Sequence, residues 1–442
     1  MVHRQDGRPS AELLERSRAV TPDGINSASR MLLMHDADGN PLCFDRADGA
    51  YLYSMEGEKF IDYVNAWGPI ILGHCDDDVN DFVTDHLSNR DLVGLSTSTL
   101  EVEAAEMVKE RVPCADKVQF GTTGSEVVAH AIRLARGLKE GNKILKFEGH
   151  YHGWYDPVFM NYKSEAKNLH TPNPLTAGMP KGTTDETVVV PFNDKPALAE
   201  TLDKQSDEIA AIIMEPIAHN IGCVMPEEGF LQTVRDLCDE HDILLIFDEI
   251  VTGFRHCASG VQKRFGVTPD LTTMAKAVAN GYPVSLLCGR EDLMMTFSED
   301  RPKGHPAVYF AGTYNGNTPC MAAVVETLRQ IDERNVHDRL DEIRRQIVPA
   351  LEDHIEDTGV NAYIQEFGGT FATYFGDGPP SNWADILADD SETFLEYRWE
   401  MVDRGVLMPP RYPRSNLLNA SLSDADIEQT IEAAGEAMRE VA

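Results

Sequence analysis

HDILLIFDEIVTGFRHCASGVQKRFGVTPDLTTMAKAVANGYP, residues 241–283, opens with an unbroken apolar run, Ile243-Leu-Leu-Ile-Phe247, that stops at Asp248-Glu249. Such a run reads as a strand buried on both faces, and it carries a carboxylate to its C-terminal end. In open α/β sheets that end is where ligands bind. Further on, Lys276 stands in Met274-Ala-Lys-Ala-Val278 among small apolar residues, ahead of the Gly281-Tyr-Pro283 turn. Little water is expected around it; lost hydration disfavours the ammonium, and the free amine can attack a carbonyl to form a Schiff base. Together the acid and the lysine suggest pyridoxal phosphate chemistry, whereas each alone has a plainer explanation. Leu-Leu-Ile-Phe-Asp-Glu has the form of a Walker B strand, yet no GxxxxGK[ST] accompanies it anywhere in the chain. A lone lysine in an apolar segment is more often a surface residue whose stem lies along a helix.

Outward from this stretch the pattern repeats. Lys117-Val-Gln-Phe120, Lys143-Ile-Leu-Lys-Phe147, Val188-Val-Val190, Ile209-Ala-Ala-Ile-Ile-Met214 and Ser285-Leu-Leu-Cys288 are further strand candidates. Helical stretches separate them, such as the stripe Phe230, Leu231, Val234, Leu237 and Cys238. This alternation predicts an α/β fold whose large domain has a mostly parallel central sheet. A helical pattern over 320–357 leaves that region. Strands over 363–375 and helices over 394–403 and 424–441 predict a smaller α/β domain. The N-terminal part reads as a helix over 11–19 with short strands near 42–44 and 51–53. The expected limits are 1–65 for an N-terminal segment packing with the small domain, 66–325 for the large domain and 326–442 for the small one.

Bulk properties narrow the function classes. The 442 residues include 73 acids against 39 bases, a formal net charge of −34, with the acids spread along the whole chain. A surface of that sign repels nucleic acid, and dispersed acidity suits a protein that works in high salt, where its self-repulsion is screened. No apolar run approaches a membrane span and the start has no signal-peptide core, so a cytoplasmic enzyme is expected. Eight scattered cysteines without a CxxC pair indicate neither a disulfide framework nor a metal site.

Three further motifs sit where sheet strands should end. Phe120-Gly-Thr-Thr-Gly-Ser-Glu126 follows a strand and opens a helix, whose exposed amides and dipole would bind a phosphate; Thr123-Gly-Ser-Glu126 is equally a capping box. Glu148-Gly-His-Tyr-His-Gly153 follows the next strand. Its two histidines lack further ligands for a metal, while the ring of Tyr151 could lie on a pyridine ring or simply pack in the core. Ile209-Ala-Ala-Ile-Ile-Met214 ends in Glu215-Pro216, a second carboxylate at the same edge. Asp248 is the better partner for a pyridinium nitrogen, because a charge pair there keeps the ring an electron sink.

In this order the pieces resemble the class III (subgroup II) aminotransferases of pyridoxal-phosphate-dependent fold type I, and among them the glutamate-1-semialdehyde 2,1-aminomutase branch. The resemblance spans roughly residues 10 to 435. It rests on Pro22-Asp-Gly-Ile-Asn-Ser27, Asn65-Ala-Trp-Gly-Pro-Ile-Ile-Leu-Gly-His74, Thr122-Thr-Gly-Ser-Glu126, Tyr151-His-Gly153, Glu215-Pro216, Asp248-Glu249, Thr252-Gly-Phe-Arg255, Lys276 and Gly312-Thr313. It implies Lys276 as the Schiff-base lysine and general base, Asp248 on the ring nitrogen and Tyr151 on the ring. Thr123, Gly124 and Ser125 would take the phosphate, with Glu215 nearby. It also implies a homodimer in which Gly312 and Thr313 complete the other subunit's phosphate site. Ser27, Arg30, Trp67 and Asn220 match substrate-pocket residues of the aminomutases, whose acidic residue in the C-terminal loop falls on Arg414 here, or on Arg411 if the count slips. That reversal of charge suits a second carboxylate or an α-carboxylate. The expected activity is transfer of an amino group between an amino acid, β-amino acids included, and a keto acid, with the aminomutase reaction as the alternative.

Overall fold

A computed structural model describes residues 8–27, 30, 34–36 and 39–442. The chain folds into two compact units: unit 1 is Met1–Asp76, Asp338–Pro379 and Asp389–Ala442, and unit 2 is Asp77–His337 and Pro380–Ala388. The limits expected from the sequence, at 65/66 and 325/326, lie upstream of these. The return of 380–388 to unit 2 has no signal in the sequence.

Unit 2 holds a seven-stranded sheet made of β1 (Lys117–Gly121), β2 (Lys143–Phe147), β3 (Thr187–Val190), β4 (Ile209–Met214), β5 (Leu244–Glu249), β6 (Leu271–Ala275) and β7 (Ser285–Gly289). The order across it is β1-β7-β6-β5-β4-β2-β3. Only β7 runs against its neighbours, β1 and β6, and every other pair is parallel. All residues of β4, β5, β6 and β7 are buried, as strands covered on both faces must be. Side chains alternate across a strand, and β2 displays both sides. Ile144 joins a core cluster with Val127, Ala131 and Leu134 of helix α1 (Gly124–Leu138), while Phe147 meets Phe230 of helix α2 (Phe230–Glu240) with ring centroids 5.6 Å apart. Because six strands share one direction, the ends of β1, β2, β4, β5 and β6 lie along one edge.

Two expectations change. Strand β6 lies outside the strands expected above: its sequence, Leu271-Thr-Thr-Met-Ala275, dilutes the apolar signal with two threonines. In the sheet the cost of Thr272 is met locally, since its hydroxyl donates to the Phe247 carbonyl at 2.9 Å. The single helical pattern over 320–357 is two helices, Thr318–Glu333 and Val336–Thr358, separated where Asn335 takes φ 50°.

Unit 1 contains a four-stranded sheet (Phe44–Asp48, Tyr51–Ser54, Lys59–Asp62, Val406–Leu407) and a three-stranded antiparallel sheet (Ala362–Phe367, Thr370–Phe375, Asn416–Leu417). Its C-terminal helix, Asp424–Val441, begins in a capping box at Ser423 and is tied to the first of these sheets, Tyr51 donating to Asp426 at 2.7 Å. Among the described residues no helix is long and apolar enough to cross a membrane.

One buried acid fastens the far end of the unit 2 sheet. Asp270, at the start of β6, accepts from the Leu245 amide at 2.8 Å, from Arg235 at 2.9 Å and from Arg290 at 2.9 Å. Removing it leaves the Leu245 amide without its acceptor and takes from the largely buried Arg235 guanidinium one of its two carboxylates, Asp239 being the other. Asp270→Ala should therefore cost about 2–3 kcal/mol in urea unfolding followed by circular dichroism, and a loss below about 0.5 kcal/mol, the ordinary scale of surface changes, would show the cluster to be dispensable.

Candidate active site

At the C-terminal edge of the unit 2 sheet lies a cavity of about 180 Å³ whose walls include Gly124, Ser125, Tyr151, His152, Glu215, Asn220, Asp248 and Lys276. Each comes from the end of a strand or from the loop after it, so the parallel sheet alone brings them together.

Asp248 forms its floor. The carboxylate is 3% exposed, and burial pushes it up to about 7, against a backbone bond from Ile250 and the nearby Lys276 charge, which favour ionisation. Oδ2 is 2.7 Å from Nδ1 of His152, a ring held neutral by burial and by the Lys146 charge; the ring donates Nδ1–H to the ionised acid, and the bond runs the other way when the acid keeps its proton. The sequence excludes His152 as a metal ligand and gives it no other part, yet a buried acid at the end of a strand needs such a partner. Glu215 lies beside Asp248 and is likewise pushed up to about 7, by burial and then by Asp248. Its two oxygens accept from the amides of Tyr151, at 2.8 Å, and of Asn220, at 3.2 Å. One carboxylate thus ties together two loops of the cavity wall.

The start of α1 carries the capping box that the sequence allowed: Thr123 Oγ1 accepts from the Glu126 amide at 3.4 Å, and Glu126 Oε2 accepts from the amides of Thr122 and Thr123. The cap uses the amide of Glu126 and not those of Gly124 and Ser125, which as the first of a helix have no partner within it. Capping and anion binding are therefore compatible here. Thr123 itself, Gly312 and Thr313 are not among the residues around the cavity. Gly312 instead passes close to its own chain's Glu126: a Cβ built on it would lie 2.8 Å from Oε1.

Lys276 directly follows β6 with φ 54°, a left-handed backbone that costs a lysine energy and is characteristic of functional positions. It is partly exposed to the cavity and not sealed in an apolar environment as its neighbours in sequence suggested.

In unit 1, Asn65, Ala66 and Trp67 take φ of 46°, 53° and 69° in succession. Buried hydrogen bonds hold this run: Asn65 Nδ2 donates to the Leu417 carbonyl at 2.7 Å, Asn419 donates to Asn65 Oδ1 at 2.9 Å, and Asp62 accepts from the Asn65 amide at 3.0 Å. The Arg414 guanidinium carbon then lies 5.4 Å from the centre of the Trp67 ring, within cation–π range. Ser27 and Arg30 belong to the same unit, the Arg30 amide donating to the Ser27 carbonyl at 2.9 Å, and Arg30 is exposed.

The family model described as Aminotransferase class-III matches residues 33–407. The glutamate-1-semialdehyde 2,1-aminomutase of Methanocaldococcus jannaschii is 37% identical over 424 residues, 96% of either chain. Of solved structures, an omega-transaminase from Sphaerobacter thermophilus matches with a TM-score of 0.91 at 28% identity, covering 100% of this chain and 99% of its own. A structure described as a transaminase with PLP bound matches at 0.86 and 26% identity, covering 98% and 97%. The fold is that of the pyridoxal-phosphate-dependent transferases of type I, and the cofactor is pyridoxal 5′-phosphate. The cavity fits this group chemically. It offers an acid for a ring nitrogen, two unshared amides for a phosphate, and a backbone cradle at Gly153, where a Cβ would lie 2.2 Å from Ser125 Oγ.

Raising an acid's pKa from 3.8 to about 7 means that the folded protein binds the extra proton, so stability is lost as pH rises between those values and is level above. Without cofactor, the wild type should lose on the order of 2 kcal/mol between pH 5 and pH 8 that Asp248→Asn does not. In thermal melts the Asp248→Asn variant should therefore gain on the wild type as pH is taken from 5 to 8. A difference between the two proteins that ignores pH would place Asp248 in contact with water.

Proposed function

We infer that this chain, which belongs to the class III aminotransferases, moves an amino group between an amino acid, β-amino acids included, and a keto acid. Pyridoxal phosphate, when bound, supplies the carbonyl that captures the amine and the electron-poor ring that makes the substrate Cα–H acidic. The chain's own residues do the rest. Lys276 would hold the cofactor through its amine, and the free amine would serve as the base for the substrate Cα proton. Asp248, oriented by His152, would pair with the ring nitrogen. Burial favours its protonated form, so it could bring a proton to that nitrogen. Tyr151 would cover the ring, the Gly124 and Ser125 amides at the end capped by Thr123 would take the phosphate, and Glu215 keeps the Tyr151 and Asn220 backbones in place.

The observation that carries the transaminase reading is Arg414 against Trp67. An arginine whose guanidinium lies on an indole can turn its donor edge to a carboxylate and bind it bidentately. Ser27, Arg30 and Asn220 are the other residues that the family pattern gives to the substrate, and with an arginine added the set suits an amino acid or a keto acid. An aminomutase has to accommodate a diamine or a dialdehyde beside a single carboxylate. The second reading, glutamate-1-semialdehyde 2,1-aminomutase, is favoured by the relative at 37% identity. A homodimer belongs to both readings. Tyr309 and Tyr314, 77% and 63% exposed on either side of Gly312 and Thr313, support a second copy covering that stretch and receiving those two residues at its phosphate site.

The test is the visible spectrum of the protein purified in high salt with pyridoxal phosphate, before and after addition of 3-amino-3-phenylpropanoate. Conversion of the bound cofactor to its amine form by wild type, and a roughly 10- to 100-fold higher KM with Arg414→Ala, are expected for the transaminase. An unchanged spectrum together with turnover of glutamate-1-semialdehyde to 5-aminolevulinate would establish the mutase instead. Lys276→Ala should abolish the protein-linked visible band and reduce turnover by about a thousandfold or more; if both persist, another amine holds the cofactor.

A further inference from the structure

We propose that Lys146 is a positioning residue for the cofactor ring: from the rigid strand β2 it holds in register the loop that carries Tyr151 and His152. The inference rests on the reading of Tyr151 as the residue covering the ring.

Lys146 is the last residue but one of β2, paired across the sheet with Val189 and Ile213, and its side chain is 0% exposed. Lysines are almost never fully buried unless something requires them. Among the described residues it makes no ion pair; its ammonium donates instead to two backbone carbonyls, His150 at 2.8 Å and Met160. These carbonyls bracket the loop, one immediately before Tyr151 and the other where the chain turns back. They leave the sheet behind and have no strand to satisfy them, so a long donor rising from below is what completes them.

The same few residues are fixed from the other side. The Glu215 amide donates to His150 Nδ1 at 3.0 Å, the Tyr151 amide donates to Glu215, and His152 meets Asp248. Every one of these ties presupposes that the loop stands at the right height above the sheet, and Lys146 sets that height. Charge is consistent with the role. Burial pushes the lysine down to about 7, while Glu148 and Glu215 nearby favour its ammonium form. Neither the apolar pattern of β2 nor the family motifs single it out; in the sequence it is one lysine inside Lys143-Ile-Leu-Lys-Phe147.

The experiment compares cofactor release from the holoenzyme and the visible circular dichroism of the bound cofactor in wild type, Lys146→Met, Ile144→Val and Tyr151→Ala. Ile144 shares the face of β2 with Lys146 but packs under α1, so Ile144→Val softens the strand without touching the loop. We expect Lys146→Met to release the cofactor about tenfold faster or more and to lose most of the dichroic signal, with Ile144→Val within about twofold of wild type on both. Release within about twofold of wild type in Lys146→Met overturns the proposal, as does an equal effect of Ile144→Val, which would make it general destabilisation. If Tyr151→Ala changes neither property, the ring-covering reading itself fails, a result separable from the other two. Should Lys146→Met not fold, Lys146→Gln, which keeps a donor but is too short to reach both carbonyls, is judged by the same thresholds.

Discussion

A carboxylate in a dry place governs this site. Asp248 is carried below the protein surface at the end of a strand that is apolar to its last turn, and there an ionised acid is costly unless a positive partner meets it. Its existing ties, the His152 ring and the Ile250 amide, restrain its orientation without supplying that partner. In the function proposed above, a cationic ring nitrogen would be that partner. The demand for such a partner comes from the burial of β5, which parallel neighbours on either side and helices on both faces enclose.

The surrounding polar groups follow the same logic of mutual necessity. Glu215 sits near a like charge and avoids full ionisation at neutral pH, yet both its oxygens are used by amides of different loops. His219 and His256 lie 2.8 Å apart between their ε nitrogens, and burial holds both neutral, helped by Arg255 and, for His219, by Lys276. A shared proton between two neutral rings fixes their tautomers as a pair. Much of the polarity near the cavity is consequently internal and already committed before any substrate arrives.

The strands of the large unit are legible in the sequence because parallel, doubly covered strands must be apolar; Ile209–Met214 and Lys143–Phe147 show even their limits. Strand Leu271–Ala275 is not legible, since threonine hydroxyls satisfied by a neighbouring carbonyl leave no trace in an apolar pattern. Asp248 and Lys276 stand out as polar residues at the ends of apolar runs. His152 and Lys146 do not, because their meaning lies in what they touch: an acid far along the chain, and two carbonyls whose direction only the folded loop defines. The pairing of Trp67 with Arg414 likewise depends on a backbone turn that no periodicity announces.

That turn has a consequence for how the protein can change. Three consecutive left-handed residues without a glycine are held by the amide of Asn65 and its buried partners, not by the indole at the tip. The ring at position 67 is therefore an interchangeable tool on a fixed handle. Side chains at 67 and 414 can change while the loop keeps its path, whereas Asp62, Asn65 and Asn419 are held to one another by buried hydrogen bonds. A lineage, or a designer, would find its freedom at the tip of this turn and its constraint at the base.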